Sequence, residues 1–190
     1  MKLRMVTGNA HKAEEAQAAL KPLGIEVVQH HVPHPEVQAD TLEEVARERA
    51  LWLRGKVPGA YIVDDAGLFV DALRGFPGVY SAYAQKTIGN DGLLALLDGK
   101  ERAARFECCI AYMEPGLSAP FLVKGVCPGR ITEDAAGGAG FGFDPIFVAE
   151  GEHLTFAELP LTRKNELSHR GRALAKLAAW LEGNRPAGNR

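Results

Sequence analysis

The chain has 190 residues, 46% of them hydrophobic, which is enough apolar material for one domain or two tightly joined lobes with a buried core. Its formal charge of −2 at pH 7 provides no overall positive field, which argues against binding a nucleic-acid polymer through many phosphate contacts. No apolar stretch reaches the length of a membrane span, and the apolar run near the start is too short for a signal peptide, so we expect a cytoplasmic protein.

The first forty residues predict a strand, a loop, a helix and a second strand. Lys2–Val6 is rich in apolar residues and predicts a strand, and Ala10–Leu20 predicts a helix that ends before a proline and a glycine. Residues 25–29 predict the second strand, and the prolines in residues 30–40 predict a loop. The chain therefore opens as an α/β unit.

A second helix is predicted from residue 41 onward. The sequence Thr41-Leu42-Glu43-Glu44 has the pattern of a capping box, in which a threonine and a glutamate three residues later satisfy the first backbone N–H groups. Apolar residues then recur at helical spacing on one face, which predicts a stripe that packs on the core: Leu42, Val45, Ala46, Ala50 and Leu53.

The middle of the chain predicts a buried strand followed by irregular structure. Residues 60–63 are apolar and predict a short strand, the segment through Phe76-Pro77-Gly78 is expected to be irregular, and residues 91–97 predict a short helix.

The second half predicts a hairpin and a closing helix. Residues 105–113 and 121–126 predict two antiparallel strands, and the last helix is predicted to begin at Ser168. Residues 184–190 are predicted to form a flexible tail. Because helical crossovers and a hairpin both occur, the sequence predicts an α/β fold with a mixed sheet.

The three cysteines bear on the redox environment. Cys108 and Cys109 are neighbours in an apolar segment, and Cys127 stands alone. This pattern is typical of reduced thiols in a core and unlike a disulfide framework, with a catalytic cysteine as the alternative.

Two adjacent acids, Asp64 and Asp65, follow the predicted buried strand. In a strand their side chains point to opposite faces, so we expect one of them to face a cleft. Adjacent carboxylates raise each other's pKa unless a cation compensates, and magnesium is the usual cation at an oxygen-only site. The alternative is a turn in which Asp64 caps the backbone before Gly67.

The segment Thr7 to Lys12 (TGNAHK) lies between the first strand and the first helix. Backbone N–H groups and the helix dipole favour a bound anion at this place, and Lys12 adds a positive charge. The segment has neither the Walker nor the dinucleotide glycine spacing, and an ordinary helix start is the alternative. In the following loop, Glu36 is a further carboxylate, and His30, His31 and His34 raise a zinc site as a weaker alternative.

Two later segments have the composition of a base-binding site. The glycine-rich run from Gly137 to Pro145 (GGAGFGFDP) could wrap a flat ring with Phe141 or Phe143 stacked on it, or its phenylalanines could instead fill the core. Residues 164–172 (KNELSHRGR) place several cations at a helix start, where the dipole disfavours them. Ligand binding would explain this arrangement, and a solvated basic face is the alternative.

These segments, in this order, resemble the inosine triphosphatase (Ham1-like) family. The resemblance runs from Val6 to about Leu174 and rests on seven blocks: TGNAHK, PEVQ, VDDAGLFVDAL, FPGVYSA, ARFECC, GFGFDPIF and KNELSHRGRAL. It implies an elongated mixed sheet flanked by helices, in two lobes with a central active-site cleft, and commonly a homodimer. It also implies magnesium-dependent hydrolysis of ITP, dITP and XTP to the monophosphate and pyrophosphate.

The resemblance also implies roles for individual residues. Glu36 and Asp65 would hold magnesium, with Asp65 also acting as the base toward the attacking water. The other implied residues bind the substrate through its phosphates, nucleoside or purine edge: Thr7, Gly8, Asn9, Ala10, His11, Lys12, Ala66, Phe141, Gly142, Phe143, Asp144, Lys164, His169 and Arg170.

Three residues depart from the family pattern. Ala66 stands where the family often has serine, Phe143 where tyrosine or tryptophan is frequent, and Arg49 where a lysine often reaches the triphosphate. A Maf-like pyrophosphatase acting on pyrimidine or modified nucleotides, a nucleotide sensor without turnover, and a structural interaction module are the alternative functions. The SHRG sequence argues against the first, and unshielded acids would repel a triphosphate from a pure binder.

Overall fold

The computed structural model describes residues 1–184 and contains six strands and six α-helices within that range. The strands are β1 Lys2–Val6, β2 Glu26–His30, β3 Tyr61–Val70, β4 Ala103–Met113, β5 Phe121–Ile131 and β6 Phe147–Ala149. The helices are α1 Ala10–Leu20, α2 Leu42–Leu53, α3 Ser81–Thr87, α4 Gly89–Leu96, α5 Leu161–Leu167 and α6 His169–Gly183.

All six strands join one mixed sheet with the order β2-β1-β3-β4-β5-β6. Strand β1 pairs in parallel with both β2 and β3, whereas β5 and β6 are antiparallel. Parallel neighbours require a crossover connection, and α1 and α2 supply it at this end of the sheet. The predicted mixed α/β class is therefore confirmed. No helix in residues 1–184 is long and apolar enough to cross a membrane.

The described chain divides into two compact units, and the first comprises Met1–Asp65, Cys109–Gly125 and residues 171–184. Its helix α2 begins with the predicted capping box, in which Thr41 Oγ1 accepts from the Glu44 backbone N–H at 3.2 Å and Glu44 Oε2 accepts from the Thr41 N–H at 3.0 Å. The five apolar residues of the predicted stripe are all buried. The capping box thus fixes where α2 begins, and the apolar stripe fixes which side of the helix packs on the core.

The second unit comprises Ala66–Cys108 and Val126–Arg170. Its core contains three aromatic rings in mutual contact: Phe106 lies 4.7 Å from Phe147 and 5.9 Å from Phe156, centroid to centroid, and Phe147 lies 5.0 Å from Phe156. Edge-on and offset contacts of this kind add to the stabilisation from buried apolar area.

Several predicted elements differ from the observed ones. Strand β3 is longer than predicted: it continues through the acid pair to Val70, so the alternative of a turn cap at Asp64 is wrong. Helices α3 and α5 and strand β6 were not predicted, because each is short and lacks a clear apolar period. The predicted β4 and β5 are adjacent in the sheet and extend beyond their predicted bounds. All three cysteines are free and buried, as expected, and residues 185–190 of the predicted tail lie outside the described residues.

Close packing at Gly67 explains why β3 contains a glycine at this position. A Cβ at this position would overlap the carbonyl oxygen of Gly78 and meet Ser81 Oγ at 3.2 Å. The same Ser81 Oγ accepts from the Leu68 N–H at 2.8 Å and donates to the Gly78 carbonyl at 2.7 Å. The segment around Gly78 therefore packs directly against the strand just beyond the acid pair.

We expect Gly67→Ala to destabilise the protein by about 1–3 kcal/mol, because the added methyl group displaces a backbone carbonyl that cannot move alone. Gly138→Ala is the matched control, since a Cβ there meets nothing within 4 Å. Urea unfolding of both variants checks this, and equal midpoints for the two would contradict the packing argument.

Candidate active site

The two acids of β3 differ in their surroundings. Asp64 is 2% exposed, whereas Asp65 is only partly buried. This difference is what the alternation of a strand predicts for adjacent residues. The Asp64 carboxylate accepts from Lys12 Nζ at 3.0 Å, so this buried charge is compensated by a cation from the first turn of α1. Burying a carboxylate without such a partner is strongly unfavourable.

The loop before α1 is held by its own side chains. Thr7 Oγ1 accepts from the Asn9 N–H and Asn9 Oδ1 accepts from the His11 N–H, both at 3.0 Å. Asn9 is the N-cap of α1, as its β-region backbone and this hydrogen bond require. Gly8 and Ala10 complete the turn, and Lys12 is the residue that reaches Asp64. The predicted strand, turn and helix are thus present, while phosphate binding by residues 7–12 stays a prediction.

Burial raises the pKa of Asp65 to about 6 from its ordinary value of 3.8. The positive charges of Arg49 and Lys12 oppose this rise, and the negative charges of Asp64 and Glu36 add to it. A carboxylate of this kind accepts a proton near neutral pH more readily than an ordinary aspartate, which suits a general base.

Arg49 lies between two of the predicted ligand carboxylates. Its Nη1 is 3.5 Å from Asp65 Oδ1 and 3.4 Å from the Asp64 carbonyl oxygen, and its Nη2 is 3.9 Å from Glu36 Oε2. The Arg49 side chain is 11% exposed, whereas that of Glu36 is 90% exposed. Together with Lys12, which contacts Asp64, these residues form a group that we call the carboxylate cluster: Lys12, Glu36, Arg49, Asp64 and Asp65.

Sequence reasoning noted Arg49 as a departure but missed its contact with both carboxylates. The signal was present, because Arg49 follows Val45 and precedes Leu53 by four residues and so falls beside the apolar stripe of α2. A cation on the inward face of a helix indicates a negative partner in the interior.

The donor set of the carboxylate cluster is compatible with magnesium. In residues 1–184, no three His, Cys, Asp or Glu side chains come together as a preformed metal site, which also removes support for zinc at the three loop histidines. Magnesium, however, is commonly held by one or two carboxylates, with waters and substrate phosphates completing the shell. Asp65 and Glu36 are two carboxylates on either side of the Arg49 guanidinium, and magnesium binding by them stays a prediction.

A second cluster lies in the other unit and is built around a buried ion pair. Asp144 Oδ2 accepts from Lys164 Nζ at 2.6 Å and from the Phe141 backbone N–H at 2.8 Å. Both charged side chains are nearly inaccessible, with 5% and 6% exposure. The pair therefore fixes the glycine-rich loop to helix α5.

The two phenylalanines of this loop have different environments. Phe143 is 3% exposed and belongs to the hydrophobic core, whereas Phe141 is partly exposed. Lys164 Nζ lies 5.0 Å and Arg170 Cζ 5.7 Å from the centre of the Phe141 ring, within the range of cation–π attraction. Gly142 separates the two rings with a φ of 64°, a conformation that favours glycine. Phe141 is thus the ring with an accessible surface, and we call Phe141, Asp144, Lys164 and Arg170 the aromatic cluster.

The remaining predicted residues of this unit are His169, Arg170 and Ala66. His169 and Arg170 begin α6 and are 5% and 3% exposed, and the His169 ring stacks on Phe106 with centroids 4.7 Å apart and planes 12° apart. Ala66 follows the acid pair in β3 and is partly exposed. The structure thus brings Phe141, Lys164 and Arg170 together, and places His169 on the aromatic core.

The sheet and these two clusters define a mixed α/β protein with compensated carboxylates in a central strand. The Ham1 family model matches residues 3–180, and the chain belongs to the Ham1 family. The resemblance seen in the sequence is confirmed.

Named relatives match this chain over nearly its full length. A dITP/XTP pyrophosphatase of Thermococcus kodakarensis is 52% identical over 97% of this chain and 99% of its own length. A dITP/XTP pyrophosphatase of Pyrococcus horikoshii is 45% identical over 97% of this chain and 98% of its own length. The solved structure of the Staphylococcus aureus Ham1 protein superposes with a TM-score of 0.83 at 30% identity, covering 97% of this chain and 100% of that one.

The raised pKa of Asp65 predicts how the free energy of unfolding depends on pH. Because burial raises the pKa of Asp65 from 3.8 to about 6, ionising this carboxyl costs stability as the pH rises from about 4 through 6, about 3 kcal/mol above that range. We therefore expect Asp65→Asn to be about 1–2 kcal/mol more stable than the native protein near pH 7.5 and to lose that advantage near pH 4.

Urea unfolding at the two pH values measures this difference. Asp98→Asn, at an exposed position, is the control and should change stability by less than about 0.5 kcal/mol at both. A loss of stability in Asp65→Asn near pH 7.5 would contradict the assigned environment.

Proposed function

We propose that this protein is a house-cleaning nucleoside triphosphate pyrophosphohydrolase that converts ITP, dITP and XTP to monophosphate and pyrophosphate and so keeps them out of DNA and RNA. The observation that carries the proposal is the carboxylate cluster, in a chain whose relatives are named dITP/XTP pyrophosphatases over nearly its full length. Paired acids with compensating cations suit the handling of a metal-bound triphosphate.

The phosphate chain is assigned to the carboxylate cluster and to the loop before α1. Asp65 and Glu36 would hold magnesium, which would neutralise phosphate charge and activate a water toward the α-phosphorus. Asp65 accepts a proton from the attacking water, whose oxygen forms a bond to the α-phosphorus while the bond to the bridging oxygen breaks and pyrophosphate leaves. The Lys12 side chain and the N–H groups of Gly8, Ala10 and Lys12 counter the charge of the phosphates.

The base is assigned to the aromatic cluster. Phe141 offers its accessible face for stacking, with Gly142 allowing close approach of the backbone, and base stacking contributes on the order of 1–3 kcal/mol. His169 and Arg170 supply donors for the 6-oxo group of hypoxanthine or xanthine. Adenine has an amino group at that position and would leave those donors unpaired, which costs roughly a hundredfold or more in selectivity.

Product analysis tests the reaction. With magnesium, we expect pyrophosphate and monophosphate from ITP and XTP in preference to dGTP, ATP, UTP and dTTP. Asp65→Asn should lower turnover by roughly 10²–10⁴-fold, because it cannot accept the proton. Asp98→Asn, an exposed acid, is the control and should retain native turnover.

Each alternative function gives a different result. Turnover of UTP or dTTP alone would support a Maf-like enzyme. Nucleotide binding that survives Asp65→Asn, without any product, would support a sensor and contradict the proposed hydrolysis.

The proposal includes a homodimer that works in the cytoplasm. Support for the dimer comes from a run of exposed apolar side chains in residues 76–96, where Tyr83 is 70%, Tyr80 47% and Ile88 38% exposed. Apolar patches of this kind commonly mark protein interfaces. Three free, buried cysteines are compatible with a reducing compartment.

Sedimentation analysis tests the dimer. We expect the native protein to sediment as a dimer and Tyr83→Glu to weaken association by at least tenfold, because a charge is costly at an apolar interface. Leu154→Glu is the matched control, with an apolar residue of 45% exposure outside the run. Equal association of both variants would locate the interface elsewhere.

A further inference from the structure

We propose that Arg49 is the resting counter-ion of Asp65 and Glu36, and that a divalent cation must displace its guanidinium from these two carboxylates in order to bind. This inference rests on the proposed function, in which the same carboxylates hold magnesium. It assigns Arg49 a role in metal binding as a positioning residue.

The first observation is the position of the guanidinium. One of its terminal nitrogens, Nη1, faces Asp65 Oδ1 at 3.5 Å, and the other, Nη2, faces Glu36 Oε2 at 3.9 Å. A single planar cation thus spans two carboxylates that approach it from different segments, one from β3 and one from the loop before α2. The arrangement places a positive charge between the oxygens that the proposed metal would bind.

The second observation is that these contacts are loose. A close arginine–carboxylate pair has two parallel hydrogen bonds of about 2.7–2.9 Å. Both contacts of Arg49 with carboxylates are longer than that, and its Nη1 donates to the Asp64 carbonyl oxygen at 3.4 Å. Arg49 Nε is buried and has no hydrogen-bond partner in the part of the chain that the structure describes. The side chain is therefore held by charge and by packing, with its hydrogen-bonding capacity incompletely used.

The third observation is the contrast with Lys12. Lys12 contacts the more buried acid, Asp64, at 3.0 Å, and this pair has the geometry of a true hydrogen bond. Lys12, the cation beside Asp64, is thus held by a close hydrogen bond, whereas Arg49, the cation beside Asp65 and Glu36, is not. Of the two cations, Arg49 is the one suited to exchange with a metal ion.

Arg49 and a metal ion cannot occupy this place together. Magnesium requires carboxylate oxygens at about 2.0–2.1 Å and keeps several ordered waters around it. A guanidinium within 4 Å of the same oxygens would occupy the space of those waters and repel the metal ion's charge. Metal binding must therefore move the Arg49 side chain, and the attraction that holds Arg49 lowers the affinity for the metal.

The test measures magnesium binding to the nucleotide-free protein by titration calorimetry. We expect Arg49→Gln to bind magnesium about fivefold to tenfold more tightly than the native protein, because the competing cation is gone. Arg49→Lys keeps a cation at this position and should restore an affinity near the native one. Arg47→Gln, an exposed arginine on the same helix, removes the same charge and should change the affinity by less than about twofold.

A second readout uses the native protein and does not depend on the folding of a variant. The Nε–Hε NMR signal of Arg49 should shift during magnesium titration, with the same midpoint as the calorimetric binding. A signal that stays unchanged through saturation would overturn the displacement.

The outcomes separate this inference from the proposed function. If Asp65→Asn abolishes magnesium binding while Arg49→Gln leaves the affinity unchanged or weaker, or if neither the native protein nor Arg49→Gln binds, the counter-ion role is wrong. Release of pyrophosphate from ITP at saturating magnesium still tests the proposed function in that case. If Asp65→Asn binds magnesium as tightly as the native protein, the metal assignment fails and the inference fails with it.

Discussion

The structure depends on a strand that carries two negative charges through its middle. A central strand cannot leave a carboxylate without compensation, and β3 places Asp64 almost completely out of solvent. Lys12 supplies the compensating charge from the start of α1, so the first helix must begin where it does for the strand to be tolerated. The capped turn before α1 fixes that position. Fold and chemistry are thus coupled at one ion pair.

The second acid shows the opposite balance. Asp65 has a raised pKa because burial outweighs the nearby positive charge, and its closest cation, Arg49, is held loosely. A site that is incompletely compensated at rest stores unfavourable electrostatic energy, which a bound cation can relieve. Stability and the proposed role of Asp65 as a base therefore make opposite demands on this residue. Gly67, two residues after this acid, packs closely against the Gly78 carbonyl.

Sequence reasoning was accurate where local chemistry decides the structure. The bounds of β1 and α1 and the capping box of α2 follow from neighbouring residues, and the structure has them as predicted. It was inaccurate where distant contacts decide. Gly67 looks like a strand breaker until Gly78 is placed beside it, and the choice between Phe141 and Phe143 as the buried ring depends on the aromatic core of the second unit. The cation predicted beside the acids is magnesium, which stays a prediction, whereas the contacts of Lys12 and Arg49 with these acids required the fold.

The buried pair of Asp144 and Lys164 has a consequence for how this chain can change over time. Replacing either residue alone leaves the other charge buried without its partner, a loss of about 3–5 kcal/mol that is a large share of a typical domain's stability. Replacing both together with apolar residues of similar volume can cost little. The two positions, twenty residues apart in sequence, therefore have to be replaced together if the ion pair is to be removed at low cost. A single substitution at either position thus disturbs the glycine-rich loop more than the paired replacement does.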